Sequence, residues 1–353
     1  MDVSRRDFVK LAGIAAVGAA VGGISKTEAA RKSELISRQA PVVGSKNVAG
    51  NRINGSTAKV YFTQKIDSKS LIDLYQQVND AIIYGKVAIK LHTGEKNGPN
   101  ILPRNMVRAF QAQVPNSAIV ECNTLYTGSR YTTEDHRETL KINGWDFCDV
   151  DIMDEFGGVD LPVRGGKHLQ YVNMGEHIKN YDSMIVLTHF KGHAMGGFGG
   201  ALKNIAIGCA SGHVGKCQVH GYDPSLGMPP AGPAWFDGTF PLEDKFMELM
   251  ADSGKATCDF FGKHIVFLNV LRRMSVDCDC AGTQAAEPTM KDIGILASND
   301  ILAIDQASCD LVYSAPDSKD LRERIESRHG MHQLQAMKDL KMGNDQYELI
   351  SVD

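Results

Sequence analysis

Cysteine and histidine can both bind a metal or act as a nucleophile, and this 353-residue chain holds eight cysteines and 11 histidines. Thiolate sulfur and imidazole nitrogen are the ligands that zinc and iron favour in proteins. Six of these residues stand at short intervals in two segments and form the predicted metal site: Cys209, His213, Cys217, His220, Cys278 and Cys280. The spacing matches no standard zinc finger, so the identity of the transition metal, iron or zinc, stays open.

The same cysteines have alternative uses. An even number permits disulfides, although the spacing is unlike that of a small disulfide-rich scaffold. Cys209 and Cys217 can equally pair with each other or pack separately. Cys278 and Cys280 cannot easily bridge each other if they alternate as in a strand, because alternation points them to opposite faces. In an exposed loop both can turn towards one metal; alternatively, one is a ligand and the other lies in the core.

A glycine-rich loop over residues 189–204, with the sequence HFKGHAMGGFGGALKN, follows an apolar run of strand length. Its glycines expose backbone N–H groups and a helix begins near Ala201, so the loop predicts a site for an anionic group. It has neither the ending of a P-loop nor the spacing of a dinucleotide-binding loop. A tight turn that needs close backbone packing is the structural alternative. The predicted anion-binding residues are Gly196, Gly197, Gly199, Gly200, Lys203 and Asn204.

Two histidines and a lysine of this loop are predicted catalytic residues. Imidazole titrates near neutral pH and serves as an acid, a base or a metal ligand, and these are the roles expected of His189 and His193. Lys191 lies between them and supplies positive charge for an anionic substrate.

Two earlier segments, KLHTGE and ECNTLYTGSR, also place polar side chains directly after apolar strands. His92 and Glu95 of the first are predicted catalytic residues. Asn123, Tyr126 and Arg130 of the second are predicted to bind the ligand. Ordinary turn capping is the alternative for each of these residues.

Alternating strands and helices must position these residues. Apolar runs predict strands over residues 59–63, 87–91, 117–121, 147–153, 183–188, 264–270 and 292–297. Helical periodicity predicts helices over residues 68–84, 104–114, 134–143, 242–261 and 301–311. The proline- and glycine-rich segment 223–241 is expected to be an irregular surface loop.

The alternation favours an α/β fold of two lobes, with mostly parallel sheets flanked by helices. The lobes are expected over residues 59–180 and 181–353. In such folds binding groups gather at the carboxyl ends of the strands, where the polar segments described above lie. The predicted site is therefore between the lobes.

The first 29 residues read as an export signal. Ser4-Arg5-Arg6-Asp7-Phe8-Val9-Lys10 is a twin-arginine motif, and Leu11 to Ser25 follows without a charge. Residues 30–58 are polar and read as a linker. The signal predicts a periplasmic or otherwise exported protein, and the route favours a cofactor loaded before export. An uncleaved signal could remain as a membrane tether.

The amino-acid composition limits the classes of partner that this protein is expected to bind. The formal charge is -4, and removing four basic and three acidic side chains with residues 1–29 makes it -5. This mildly acidic balance gives no support to nucleic-acid or anionic-membrane binding. The hydrophobic content of 43% suits a globular body with a large core.

The chain resembles the family of uncharacterised iron–sulfur-centre proteins, the family of unknown function numbered 362. The resemblance rests on these stretches: IKLHTGE, ECNTLYTGSR, DHRETLKINGW, VLTHFKGHAMGGFGGALKNIAIGCAS, LRRMSVDCDCAG, DIGILASNDILAIDQASCDLVYSA and ERIESRHGMHQLQA. Many members look like carriers of a ferredoxin-type [4Fe–4S] insert with Cys-x-x-Cys-x-x-Cys spacing. Between Pro241 and His264, where that insert is expected, this chain has only Cys258. The family also looks distantly similar in architecture to nickel-pincer lactate racemases.

Three functional hypotheses follow. The first is an exported metal-binding protein, an enzyme for a small carboxylate or phosphate compound. The second is a metal-free isomerase or transferase that uses the same glycine loop and lysines. The third is a non-catalytic periplasmic protein that binds a small ligand between lobes.

Overall fold

The computed structural model describes residues 57–222 and 243–353. The predicted signal over residues 1–29, nearly all of the linker and the predicted loop over residues 223–241 lie outside the described residues. No helix in the described part of the chain combines the length and the apolar character that crossing a membrane requires.

Strands and helices alternate through most of the described chain. The strands are β1 (Ala58–Thr63), β2 (Val87–Lys90), β3 (Ser117–Glu121), β4 (Val150–Ile152), β5 (Gly158–Pro162), β6 (Tyr171–Gly175), β7 (Ser183–His189), β8 (Lys191–His193), β9 (Gly197–Gly199), β10 (Ile265–Leu271), β11 (Gly294–Ser298) and β12 (Tyr347–Ser351). The α-helices are α1 (Ser68–Asn79), α2 (Arg104–Gln111), α3 (Thr133–Ile142), α4 (Ala201–Gly208), α5 (Gly215–Val219), α6 (Asp244–Phe261), α7 (Ile301–Ser314), α8 (Lys319–Ser327) and α9 (His332–Asp339).

Eight strands form one sheet in the order β12-β1-β11-β10-β7-β2-β3-β4. Within this sheet β11 is antiparallel to both of its neighbours and the remaining pairs are parallel, so the predicted α/β class with mostly parallel strands is confirmed. Separate sheets are expected for two lobes. The structure has one continuous sheet instead, because β2 pairs directly with β7 in the register Val87 to Ser183. The site predicted between the lobes therefore lies at an edge of this sheet.

The central strands are apolar because helices cover both faces of the sheet. All seven residues of β7 and all seven of β10 are buried. In β7, Met184 and Val186 join the apolar core on one face, and Ile185 and Leu187 join the core on the other. This division follows from the two-residue periodicity of a strand, and continuous apolar runs are typical of parallel strands covered on both faces.

Two elements differ most in length from their predicted ranges. Helix α1 ends at Asn79 rather than at residue 84, because Asp80 and Ala81 have φ values of 24° and 58° and leave the right-handed helical region. The strand predicted over residues 147–153 is reduced to β4, which pairs with the rest of the sheet on one side only.

The parallel strands place the polar segments together. Strands β2, β3, β7 and β10 run in the same direction and are adjacent or nearly so in the sheet. Their last residues, Lys90, Glu121, His189 and Leu271, therefore lie at one edge. The loops that follow these strands carry the candidate site, as is usual for α/β sheets.

Candidate metal centre

His193, Cys278 and Cys280 form a group of potential metal ligands. One ligand atom of each lies within 4.8 Å of the other two, and this is the one such group found among residues 57–222 and 243–353. His193 ends β8, whereas Cys278 and Cys280 belong to the loop after β10. His193 and Cys278 are buried and Cys280 is half-buried. The structure thus joins one residue predicted as catalytic with two predicted as metal ligands.

The local backbone explains why both cysteines turn to the same side. Cys278 is extended, with φ −77° and ψ 155°, and a short 3-10 helix begins at the next residue, Asp279. The strand-like alternation that would separate the two sulfur atoms therefore does not apply. Both cysteines are more enclosed than the exposed loop considered from the sequence, but they do turn towards one point.

Positive charge surrounds the Cys278 sulfur. The Nζ of Lys203 lies 3.1 Å from Cys278 Sγ. A hydrogen bond from the Cys280 thiol holds the pKa of Cys278 well below its ordinary value despite burial, with help from Lys203, His92 and Lys191. The same hydrogen bond, together with burial, raises the pKa of Cys280. The pair is therefore a Cys278 thiolate that accepts a hydrogen bond from the Cys280 thiol.

His193 is neutral, and its proton has a defined place. Burial lowers the pKa of His193 well below the usual range, and the charge of Lys203 lowers it further. The Gly196 N–H donates to His193 Nδ1 over 3.0 Å, so the proton of the neutral ring is on Nε2. A metal at Nε2 must replace that proton, and a metal at Nδ1 must replace the Gly196 hydrogen bond.

Asp279 anchors the cysteine loop to the sheet. Its carboxylate lies 2.8 Å from His189 Nδ1 and 3.1 Å from Lys191 Nζ. Burial raises the pKa of Asp279, but His189 and Lys191 outweigh it and lower the pKa below the ordinary value. His189 Nε2 lies 2.6 Å from the Arg272 carbonyl oxygen, so both ring nitrogens donate to acceptors. His189 and Lys191, predicted as catalytic residues, thus position the loop between β10 and β11.

Gly192 allows the same loop to approach β8. Its N–H donates to the Ser275 carbonyl oxygen over 2.8 Å. A Cβ at position 192 would lie 2.1 Å from the Val276 carbonyl oxygen, which is closer than any real contact. Close backbone packing, the structural alternative for the glycine-rich loop, is therefore realised at this position.

The anion site predicted at the start of α4 already contains a carboxylate from the chain itself. Asp305 accepts from the backbone N–H groups of Ala201 and Leu202 over 2.7 and 2.9 Å. A Cβ on Gly200 would lie 2.4 Å from Asp305 Oδ1. The prediction of an external anion at this helix is wrong for these N–H groups, because Asp305 satisfies them. Gly196, Gly197 and Gly199 belong to the β8–β9 hairpin, and Gln333 donates to the carbonyl oxygens of Gly196 and Phe198.

We expect Asp305 to make stability fall as pH rises through about 6. Burial raises its pKa to about 6 from an ordinary value of 3.8, against the hydrogen bonds from Leu202 and Asn269. The folded protein thus binds the proton more tightly than the unfolded chain does. The stabilisation is fully present below about pH 4 and is lost above pH 6, a change of about 3 kcal/mol.

Urea unfolding from pH 4 to 7 tests this expectation. The difference in free energy of unfolding between the wild type and Asp305→Asn should shrink with rising pH across this window, since the variant lacks the titrating group. Asp73→Asn, at an exposed position on α1, is the control and should keep the wild-type slope. Parallel pH profiles for the wild type and Asp305→Asn would contradict the assignment.

A second buried polar cluster lies beside the candidate metal centre at the ends of β2 and β3. Glu121 Oε2 lies 2.7 Å from Lys90 Nζ, and Glu121 Oε1 accepts from the Thr93 N–H over 2.8 Å. Arg130 Nη1 is 3.6 Å from Glu121 Oε1. Burial raises the pKa of Glu121, but Lys90 and His92 hold it well below its ordinary value. Lys90 and Glu121 were not predicted as site residues; the available signal was a charge ending each apolar strand.

Glu95 is held in the same cluster and is ionised at neutral pH. Its carboxylate accepts from Arg130 Nε, Tyr126 Oη and Ser129 Oγ over 2.9, 2.7 and 2.6 Å. Burial raises the pKa of Glu95, but Arg130 and these hydrogen bonds lower it to about 2. A carboxylate of this kind is a weak base. Glu95, Tyr126 and Arg130 therefore form one hydrogen-bonded network, and their catalytic and ligand-binding roles stay predictions.

His92 contacts both this cluster and the candidate metal centre. Its Nδ1 lies 3.3 Å from Glu121 Oε1. Its Nε2 is buried without a hydrogen bond of good geometry in the described structure, yet the ring is close enough to lower the pKa of Cys278. His92, one of the predicted catalytic residues, thus has a ring nitrogen, Nε2, that can bond to another group.

The predicted amides have structural partners. Asn204 donates from Nδ2 to the carbonyl oxygens of Lys90 and Leu187 over 3.3 and 3.2 Å, which ties β2 to β7. Asn123 Oδ1 lies 3.1 Å from His136 Nδ1.

The first of the two segments predicted to bind metal, residues 209–220, does not contribute to the group of His193, Cys278 and Cys280. Burial raises the pKa of Cys209 to about 12 and that of Cys217 to about 11, as in buried thiols. The exposed His213 ring lies 4.6 Å from the Tyr131 ring, and His220 Nδ1 lies 2.6 Å from the Lys216 carbonyl oxygen. No group of three potential ligands in the described ranges includes a member of this segment. All eight cysteines, each of which is described, are free thiols in the structure.

Solved structures with a related overall shape include the lactate racemase apoprotein from Thermoanaerobacterium thermosaccharolyticum. It is 11% identical over 78% of this chain and 62% of that protein, with a TM-score of 0.42. A Thermotoga maritima protein from a structural genomics consortium is 11% identical over 79% of this chain and 60% of its own, with a TM-score of 0.39. The chain thus spans about three-fifths of each.

Sequence comparison gives a match to a family model but no match to an individual curated protein. No curated protein gives a significant match. Residues 87–310, well over half of the chain, match the model described as the domain of unknown function DUF362, so the chain belongs to the DUF362 family.

Proposed function

We propose that this chain is an exported metal-binding protein and an enzyme that acts on a small anionic compound, a carboxylate or a phosphate. The observation that carries the proposal is the group of His193, Cys278 and Cys280, whose ligand atoms lie within 4.8 Å of one another. The metal is a soft or borderline ion, zinc or iron, because one imidazole and two thiolates are the donors. The twin-arginine segment supports export.

Three protein ligands suit a catalytic metal better than a structural one. Structural zinc sites are closed by four protein ligands, whereas catalytic sites keep one position for water or substrate. The neighbouring Lys203, 3.1 Å from Cys278 Sγ, remains positively charged when two thiolates neutralise a divalent ion. That leftover positive charge favours an anionic substrate at the open position. His92, which is close enough to Cys278 to lower its pKa and has a buried Nε2, is a candidate acid–base group.

Metal analysis of the protein purified from the exported fraction tests the proposal. We expect about one mole of zinc or iron per mole in the wild type, with a loss of at least about tenfold in Cys280→Ser. Cys148→Ser is the matched control, since Cys148 is also half-buried but lies outside the group. Ultraviolet–visible spectra of the cobalt-substituted protein should show thiolate charge-transfer bands in the control and weaker bands in Cys280→Ser.

Two results would contradict the proposal. Metal below about 0.1 mole per mole in both the wild type and the control would argue against a metal centre. Equal metal content in Cys280→Ser and the wild type would place the metal elsewhere. Retention of the full chain in the cytoplasm would contradict export without affecting the metal result.

A further inference from the structure

In the absence of a metal, Cys278 and Cys280 form a reactive pair. Their sulfur atoms lie within 4.8 Å of each other and only Asp279 separates them in the chain. Asp279 is anchored at 2.8 Å from His189 Nδ1 and 3.1 Å from Lys191 Nζ. The anchored middle residue holds the two cysteines in the turn that brings their sulfurs together, and this reduces the entropy lost on forming a bond between them.

The two sulfurs differ in access and in charge. Cys278 is 3% exposed and lies 3.1 Å from the ammonium group of Lys203. Cys280 is half-buried and is thus the more exposed of the two residues. The ammonium group of Lys203 donates a hydrogen bond to the enclosed Cys278 sulfur. This asymmetry is that of an entry cysteine, Cys280, and a resolving cysteine, Cys278.

His193 supports an anionic sulfur when no metal is present. Gly196 occupies Nδ1, so the neutral ring carries its proton on Nε2 and can donate it to sulfur. Without a metal the ring is therefore a hydrogen-bond donor rather than a ligand with a free lone pair. The arrangement suits a dithiol as well as it suits a metal centre.

We propose that Cys278 and Cys280 are a redox-active dithiol that reacts with small organic disulfides. The Cys278 sulfur takes the proton of the Cys280 thiol as the Cys280 sulfur attacks the organic disulfide, whose S–S bond breaks to release one thiolate. Cys278 passes its proton to that thiolate and then attacks the mixed disulfide at Cys280. The products are the Cys278–Cys280 disulfide, one thiol and one thiolate; two electrons pass from the cysteines to the organic disulfide.

This activity excludes metal binding at the same time. A bond of about 2.05 Å between the sulfurs removes two of the three ligands of the proposed centre. Only this consequence depends on the proposed function. The disulfide itself is measured on protein from which metal has been removed.

Thiol counting in glutathione buffers tests the dithiol. The reduced full chain, kept with a chelator, is equilibrated at increasing ratios of oxidised to reduced glutathione. It is then quenched with N-ethylmaleimide in denaturant, so that buried thiols also react, and its mass is measured by mass spectrometry. The wild type should lose two of its eight maleimide labels without gaining a glutathione, and peptide mapping should place the loss at Cys278 and Cys280. Cys278→Ser should accumulate one glutathione on Cys280, and Cys148→Ser should lose two of its seven labels without gaining a glutathione.

Other outcomes would overturn the proposal. These are eight labels at every buffer ratio, a loss that maps to other cysteines, or a stable glutathione adduct on the wild type. If Cys278→Ser does not fold, as judged by circular dichroism, Cys280→Ser replaces it and should neither lose further labels nor gain glutathione. A failed metal titration leaves all of these measurements unchanged, so the two proposals can fail separately.

Discussion

Replacing Glu121 with glutamine is expected to lower the free energy of unfolding by about 3–5 kcal/mol. Glu121 is 2% exposed and lies 2.7 Å from Lys90 Nζ, which is itself 1% exposed. The glutamine amide cannot neutralise Lys90, and the buried ammonium group would then be without a countercharge. Breaking a buried ion pair from one side leaves such an uncompensated charge, which is more costly than losing the pair entirely.

Urea unfolding at neutral pH measures this effect. The matched control is Glu138→Gln, whose partner Lys96 lies 3.2 Å away in a pair that is 42% and 63% exposed, and it should change stability by less than about 1 kcal/mol. The double variant Lys90→Met with Glu121→Gln should recover part of the loss, because it removes the orphaned charge. A loss no larger than that of the control would show that the Lys90–Glu121 pair is not buried in solution.

Replacing Gly192 with alanine is expected to weaken zinc binding by at least about tenfold and to lower stability by about 1–3 kcal/mol. The added Cβ would lie 2.1 Å from the Val276 oxygen and 2.7 Å from its Cα, and both are backbone atoms. The loop that carries Cys278 and Cys280 must therefore move away from β8. His193 is on β8, so the movement separates the proposed ligands.

A zinc competition assay and urea unfolding measure the two effects. Gly196→Ala is the comparison from the same hairpin: its Cβ would meet side-chain atoms, those of Gln333 and Met250 at 3.3 Å and of His193 at 3.4 Å, so it should leave the cysteine loop in place. The rate at which N-ethylmaleimide modifies Cys280 gives a readout that does not need a metal, and it should rise in Gly192→Ala alone. Wild-type values for both readouts in Gly192→Ala would contradict the loop packing.

Several elements could be predicted because their signals are local. The strand over residues 117–121 was predicted with its observed limits, since a short apolar run reports the burial of a strand on both faces. The hairpin of β8 and β9 was not predicted, because it lies in a glycine-rich loop without periodicity. Helix α1 was predicted too long because positive φ values at Asp80 and Ala81 leave no mark on the apolar pattern.

The sequence predicts which residues lie at the site better than it predicts the role of each residue. The sequence places His92, Glu95, His193 and the Cys278–Cys280 pair after strands of a parallel sheet, and this is where the structure has them. It does not show that Glu95 is paired with Arg130, because the network depends on side chains from two loops. Nor does it show that Asp305, 104 residues from Ala201, fills the anion position at α4.

What the sequence by itself determined is the α/β class, the family and the edge of the sheet at which polar groups gather, because these depend on periodicity and composition along short stretches. Only the tertiary structure decided that Cys278 and Cys280 meet His193 rather than Cys209, His213, Cys217 and His220. The order β10-β7-β2-β3 brings loops together that are far apart in the chain. The close approach of β8 to the cysteine loop at Gly192 then selects the partner, and such contacts between distant segments have no periodic signal in the sequence.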